Sequence, residues 1–263
     1  MEKQRLDKYL SGQITDLSRK DARAAIRGGR VKISDETVKD PAVLIDAEKA
    51  KVVFDGQAVG YKKYVYIVMN KPAGVLSAAS DESRQTVVDL VPEKLRRSNI
   101  APVGRLDKDT TGLLIITDDG ELAHRCISPK YKLPKTYLAE LDGDFGNRET
   151  EDFRHGITLA DGTKCRPALL ERVAEKTARI TVTEGKYHQI KRMFGVVGLG
   201  VNALHREAIG GLSLPKNLAC GECTELTHSE LVSALEAYNV HFKQNNIYNI
   251  GENHYSNCRN DLL

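Results

Sequence analysis

Between Gly104 and Gly120 the chain reads GRLDKDTTGLLIITDDG, and its most reactive feature is one carboxylate, Asp107, set between Arg105 and Lys108. Cationic neighbours favour the ionised form of a carboxyl group, which makes Asp107 fit to act as a nucleophile or base near neutral pH. In an extended segment alternate side chains share a side, so Arg105 and Asp107 can point together and the arginine can help fix the carboxylate. An isolated Arg-x-Asp is an ordinary surface ion pair of little weight. Two further polar stretches stand out beside it: NKPAG (Asn70 to Gly74) and EGKYHQIKRM (Glu184 to Met193).

Competing chemistries lack their ligands. There is no G-x-x-x-x-G-K-[ST], G-x-G-x-x-G, H-E-x-x-H or G-x-S-x-G, so phosphate-loop, dinucleotide, zinc-protease and serine-hydrolase readings fall away. Cys220 and Cys223 form a CxxC with His228 close behind, but a structural zinc site closes with four ligands and no second pair follows, so no metal is expected. Five cysteines, no N-terminal apolar leader and no apolar run of membrane-spanning length predict a soluble, cytoplasmic protein with no membrane partner.

The elements that must position these residues divide into two units, as a chain of 263 residues allows. Residues 1–60 form the first. Ser18 and Asp21 read as a capping box, and Ala22, Ala25 and Ile26 supply the apolar stripe of a helix over Arg19 to Arg27 that stops at Gly28 and Gly29. Arg19, Arg23 and Arg27 recur every fourth residue and stack on one face, with Arg30 and Lys32 continuing the basic run. Between Lys3 and Lys32 nine Lys and Arg stand against three Asp, although the whole chain carries a net charge of only +3. No acidic residue follows these arginines at four-residue spacing, so the helix reads as a cationic face. Val31 to Ile33 and Val52 to Gly56 read as strand segments.

Residues 61–238 form the larger unit. YVYIVM alternates as a strand that ends at NKPAG, and Gly112 to Thr117 reads as a strand closed by an Asp118-Asp119-Gly120 turn, with the charged loop at its mouth. KTYLAEL (Lys135 to Leu141) is another strand, and ALLERV with ARITVTEG a hairpin turning at Glu175 to Thr177. Ile190, Met193, Phe194 and Val197 have helical spacing and leave Gln189, Lys191 and Arg192 off the core stripe. No repeat is present, and residues 239–263 form an Asn-rich tail without periodicity.

The order RLDKYL, basic helix, GGRVKI, VVFDG resembles the S4 RNA-binding domain. GRLDKDTTGLL, NKPAG and EGKYHQIKRM, with KTY and LHREAIGGL in the matching order, are similar to the pseudouridine synthase family, in its S4-bearing small-subunit rRNA branch. The resemblance runs from about residue 4 to residue 235 and implies an α+β chain: a small S4-type domain, then a mixed, largely antiparallel catalytic sheet with flanking helices. It implies that Asp107 is the catalytic residue, attacking C1′ of a uridine or abstracting a sugar proton. Tyr137 would stack on the flipped base, and Arg105 would enter the gap that base leaves. Lys191 would occupy the basic position that pairs with the aspartate, where many relatives have arginine; a point charge lacks the bidentate fork. RNA contacts are expected from Arg19, Arg23, Arg27 and Arg30 and, in the larger unit, from Lys71, His188, Gln189 and Arg192; His188 and Gln189 could instead cap and orient their motif. No cofactor is implied. The implied partner is ribosomal RNA of the small subunit or its assembly intermediate, engaged by a monomer. The other readings are a large-subunit enzyme, a non-catalytic ribosome-assembly factor, and a glycosidase, which would need a second positioned carboxyl group.

Overall fold

Short elements build the N-terminal region of the computed structural model, which describes residues 3–97 and 99–238. Strand β1 (Lys3–Arg5) runs directly into helix α1 (Leu6–Gln13), and Ser18 opens α2 (Arg19–Arg27) by accepting a hydrogen bond from the backbone N–H of Asp21. The expected helix is thus present, and its cap satisfies one of the donors that every helix start leaves free. After it come β2 (Val31–Ile33), β3 (Glu36–Thr37), β4 (Leu44–Asp46), β5 (Val52–Phe54) and β6 (Gln57–Val59). Ser34 and Asp35, at φ 48° and 73°, make the two-residue turn between β2 and β3. The strands pair in the order β3-β2-β5-β6, with β1 and β4 in a separate ribbon. Leu6, Tyr9, Leu10, Ala22, Ile26, Val31 and Val52 close the core beneath them.

This unit comprises Met1–Val65 together with Val91–Ile100. The returning segment, which holds a 3-10 turn at Glu93–Leu95, is tied down by polar contacts. Thr15 donates to the Arg96 carbonyl at 2.9 Å, and Arg97 donates to the carbonyls of Gly12 (2.8 Å) and Lys62 (3.0 Å). No break in composition marks that excursion in the sequence.

The second unit is built on one sheet. Its strands are β7 (Tyr66–Lys71), β8 (Ala101–Pro102), β9 (Thr111–Thr117), β10 (Lys135–Leu141), β11 (Leu169–Ala174), β12 (Thr177–Val182), β13 (Val201–Ile209), β14 (Leu212–Ser213) and β15 (Cys223–Leu226). The main order is β11-β12-β10-β13-β9-β7-β15, with β14 on β13 and β8 on β9. Of the pairings between these strands only β9 with β13 is parallel, so the sheet is mixed and largely antiparallel. Helices α3 (Gly120–Ile127), α4 (Asn147–His155), α5 (Gln189–Val196) and α6 (His228–Glu236) flank it. Phe153 of α4 and Ile190, Met193 and Phe194 of α5 share a core with Tyr137, Ala139, Ile180 and Leu204. Leu122 and Cys126 of α3 and Leu231 and Leu235 of α6 cover Val68, Leu113 and Ile115. Leu113 to Ile116 are fully buried in succession, which explains why β9 reads as a continuous apolar run.

One expected feature is corrected. Asp118-Asp119-Gly120 is not a hairpin turn: Asp119 is the N-cap of α3, its carboxylate accepting from Leu122 N at 3.0 Å and from the Tyr66 hydroxyl at 2.9 Å. Aspartate before glycine serves both a turn and a helix start, so the local signal could not choose between them. The tail expected over residues 239–263 lies outside the described residues. No helix among the described residues is long and apolar enough to cross a membrane.

The parallel contact depends on Gly112, at φ 101°. A Cβ there would overlap the backbone nitrogen and carbonyl of Arg206 across the strand pair. Gly112→Ala is therefore expected to lower stability by about 3 kcal/mol or more, through clash and left-handed strain together. A urea midpoint unchanged from wild type would show that β9 and β13 can separate at no cost.

Candidate active site

The loop 103–110 that carries Asp107 leaves β8 through Gly104, at φ 74°, and enters β9 at Thr111. It is held by neighbours from the NKPAG turn. Lys71, the last residue of β7, is fully buried, and its Nζ donates to the carbonyls of Pro72 (2.9 Å), Lys108 (3.2 Å) and Thr110 (2.9 Å). Gly74 N donates to the Lys108 carbonyl at 2.8 Å. Ser77 both donates to the Leu106 carbonyl (2.9 Å) and accepts from Leu106 N (3.1 Å). Both backbone groups beside Asp107 are thereby fixed. Burial pushes the Lys71 ammonium down to about 8, with the charges of Asp109 and Asp107 pulling the other way.

These bonds correct the reading of Lys71 as an RNA contact. A lysine whose three donors are spent on buried carbonyls cannot reach a phosphate; it holds the Asp107 loop in place. For Gln189 the hydrogen bonds favour the second of its two expected readings, that of orienting its motif. Its amide is buried, donating to Glu184 Oε1 at 2.9 Å and accepting from Lys186 N at 2.9 Å, so it orients the turn into α5.

Asp107 is 27% exposed, and the imidazole of His188 approaches it, with Nε2 3.5 Å from Oδ1. His188 is the N-cap of α5, in the left-handed region at φ 47°, ψ 35°, with its ring stacked on that of Tyr187 at 3.8 Å. Lys191 does not pair with Asp107: its Nζ bonds Asp109 Oδ2 at 2.6 Å and holds that carboxyl below its usual range. The expected partnership is thus moved two residues along the loop, with His188 the side chain that approaches Asp107. Arg105 is exposed, and among the described residues no hydrogen bond or ion pair joins it to Asp107, so the expected clamp is absent. Arg192 is engaged by Asp161 at 2.5 Å.

A cavity of about 80 Å³ opens beside the carboxylate, lined by Arg105, Asp107, Tyr137, Ile190, Lys191 and Leu204 among others. Tyr137, on β10, is only 8% exposed. Its hydroxyl accepts from Arg206 Nη1 at 3.4 Å, and the Arg206 guanidinium lies 5.9 Å from the ring centre. Arg206 is itself buried and bonds the Leu113 carbonyl at 2.7 Å, joining the floor of the cavity to β9. LHREAIGGL is legible in the sequence as a motif, but nothing local shows that its arginine points inward in support of the cavity. Among the described residues no three His, Cys, Asp or Glu side chains come together as metal ligands. The site can therefore present the Asp107 carboxylate, an aromatic ring and a rim of cations to an anionic, planar substrate; Glu184, which also lines the cavity, is engaged by Lys186 and Gln189.

The basic residues of the first unit are more engaged than their spacing implied. Arg19 and Arg23 both bond the buried carboxylate of Asp7, an acid supplied by α1 and not by their own helix. Arg30 pairs with Asp55 and lies 5.0 Å over the Phe54 ring. Arg27 is exposed and has no ion pair among the described residues.

Residues 65–195 match the model of the RNA pseudouridylate synthase family, and residues 4–49 match that of the S4 domain. The chain is 42% identical over 231 residues to an uncharacterised RNA pseudouridine synthase of Bacillus subtilis, covering 86% of this chain and 96% of that one. It is 39% identical over 235 residues to the ribosomal small subunit pseudouridine synthase A of Escherichia coli K12, covering 88% and 100%. A crystal structure of a pseudouridylate synthase, 36% identical, superposes with a TM-score of 0.61 over 88% of this chain and 99% of that one. With the loop aspartate, the cavity tyrosine and an S4 domain ahead of them in one chain, the protein belongs to the RNA pseudouridine synthase family.

Proposed function

We propose that this enzyme converts a uridine of ribosomal RNA, in the small subunit, to pseudouridine, with Asp107 as its catalytic residue. The observation that supports this most directly is the position of Asp107: an immobilised loop sets its carboxylate at the mouth of a cavity that also holds the Tyr137 ring. The reaction breaks the bond from C1′ to N1 of the base and remakes it from C1′ to C5, so the nucleotide must leave its stack and the freed base must turn without escaping. Asp107 acts at the ribose, by attack on C1′ or by removal of a sugar proton. Tyr137 holds the base from below, and Arg105, exposed beside the cavity, fills the place the base has left. Nothing in this exchange needs an oxidant, a reductant or a metal. The small-subunit assignment is supported by the near full-length similarity to an enzyme of that name.

Each unit offers basic side chains to the RNA. Arg27 and the exposed sides of Arg19, Arg23 and Arg30 meet phosphates in the first unit; His188 and Arg192 do so beside the cavity. Such contacts position the RNA without reading its sequence.

Carbodiimide mapping of rRNA from cells with and without this protein tests the reading, supported by tritium release from 5-labelled uridine in vitro. One small-subunit position should lose its signal, and no free uracil should form. A lost position in large-subunit rRNA would move the target to that subunit. Intact signals everywhere would favour the assembly-factor reading, and free uracil would favour a glycosidase. Tyr137→Ala should weaken engagement of the flipped base by about 1–3 kcal/mol, while Tyr137→Phe keeps most of the stacking. Single-turnover rates that are equal for wild type and Tyr137→Ala would reduce Tyr137 to a packing role.

A further inference from the structure

The Asp7 carboxylate is completely buried in the first turn of α1, yet three arginines reach it. Arg5 bonds it edge-on through Nε and Nη2, both at 3.1 Å, and Arg19 does so through the same two atoms, both at 3.3 Å. Arg23 adds a single Nε bond at 2.8 Å. The acid takes up one edge of Arg5 and of Arg19 and the Nε of Arg23, and among the described residues the Nη1 of each is left free to donate. The three arginine side chains stay 43%, 48% and 43% exposed. Three cations on one anion leave two positive charges in surplus, turned toward solvent. A buried ion cluster is a poor device for stability alone, since apolar replacements commonly do as well, whereas three adjacent guanidiniums without a shared anion would repel and disperse.

We propose that Asp7 is a positioning residue of a phosphate-docking surface: its buried carboxylate gathers Arg5, Arg19 and Arg23 into a fan whose outward N–H groups receive the phosphodiester backbone of the substrate RNA. Arg27 extends the row one turn along α2. The identification of the ligand rests on the reading above that the substrate is RNA; the role of Asp7 rests on the geometry.

The two possible roles of Asp7 predict opposite signs. An acid that merely lies near a polyanion opposes binding, so removing it tightens the complex. An acid that organises the cations supports binding, so removing it weakens the complex although the protein becomes more positive. The experiment is a salt titration of binding to a small-subunit rRNA transcript by the full chain, as wild type and Asp7→Asn, each also in an Arg5→Gln, Arg19→Gln, Arg23→Gln background. Asp7→Asn should bind about tenfold more weakly, with a log-affinity against log-salt slope shallower by about 1 to 2 units. In the glutamine background it should have no further effect. Tighter or unchanged binding by Asp7→Asn overturns the proposal, as does an equal loss in the glutamine background, which would mark a general disruption of the unit. Should Asp7→Asn not fold, replacing the three arginines by lysine keeps every charge and removes the fork; affinity equal to wild type then overturns it. Because the readout is binding, a wild type that bound RNA without forming pseudouridine would refute the catalytic reading and leave this one standing.

Discussion

Asp107→Asn is expected to lower pseudouridine formation by about a thousandfold or more while leaving RNA affinity and fold unchanged. The amide keeps the size and planarity of the carboxyl group but has no ionised oxygen with which to attack C1′ or take a proton. The substitution should be structurally quiet. Asp107 is partly exposed, its side chain meets the His188 imidazole at 3.5 Å, and the loop is held by backbone bonds that do not involve its side chain. Single-turnover rates at saturating enzyme, with the urea midpoint and RNA affinity measured in parallel, separate loss of chemistry from loss of fold or binding. Activity within about tenfold of wild type would remove Asp107 from the centre of the reaction.

Lys71→Met should damage both stability and rate. Methionine fills a similar volume but leaves the carbonyls of Pro72 and Thr110 without the Lys71 donor and the Lys108 carbonyl with the Gly74 N–H alone. The cost is about 2–4 kcal/mol, less whatever is recovered by no longer burying a charge. The Lys108 and Thr110 carbonyls belong to the stretch of loop just after Asp107, so the carboxylate should lose its fixed position and the rate should fall by about a hundredfold, the scale expected for a misplacement near 1 Å. The pH dependence adds an independent sign. Folding lowers the Lys71 value from 10.5 to about 8, so between those limits the unfolded chain binds more protons and wild-type stability rises with pH. Lys135, also lowered to about 8 by burial, contributes in the same direction. The difference between wild-type and Lys71→Met unfolding free energies isolates the Lys71 share: it should widen from pH 8 to 10.5. A flat difference over that range, with an unchanged rate, would mean that Lys71 is neither buried nor holding the loop.

Much of the fold could be read along the chain. Ser18, the apolar stripe and the paired glycines delimit α2 at the residues where it begins and ends, and KTYLAEL delimits β10. The order of NKPAG, GRLDKDTTG, KTY and EGKYHQIKRM was sufficient to bring out Asp107 and Tyr137, which the structure places around one cavity. The elements are set by near neighbours, a cap, a period of 3.6 or 2, a glycine where φ is positive, whereas the role of Tyr137 came from the family resemblance.

Charge partners were the part that only the tertiary structure decided. The sequence put arginines on one face of α2 and showed no acid within that helix, but their acid is Asp7, buried on α1. The family resemblance paired Lys191 with Asp107, and in the fold it bonds Asp109, 82 residues away. It showed Lys71 at the end of a strand, and packing turned that lysine inward onto carbonyls up to 39 residues distant. A charged side chain has no periodicity that says where it points, and its long flexible stem can serve solvent, phosphate or a buried carbonyl equally well. Which one it serves is fixed only when strands β7 and β9 and helix α5 converge and the groups that would otherwise be left unpaired are known.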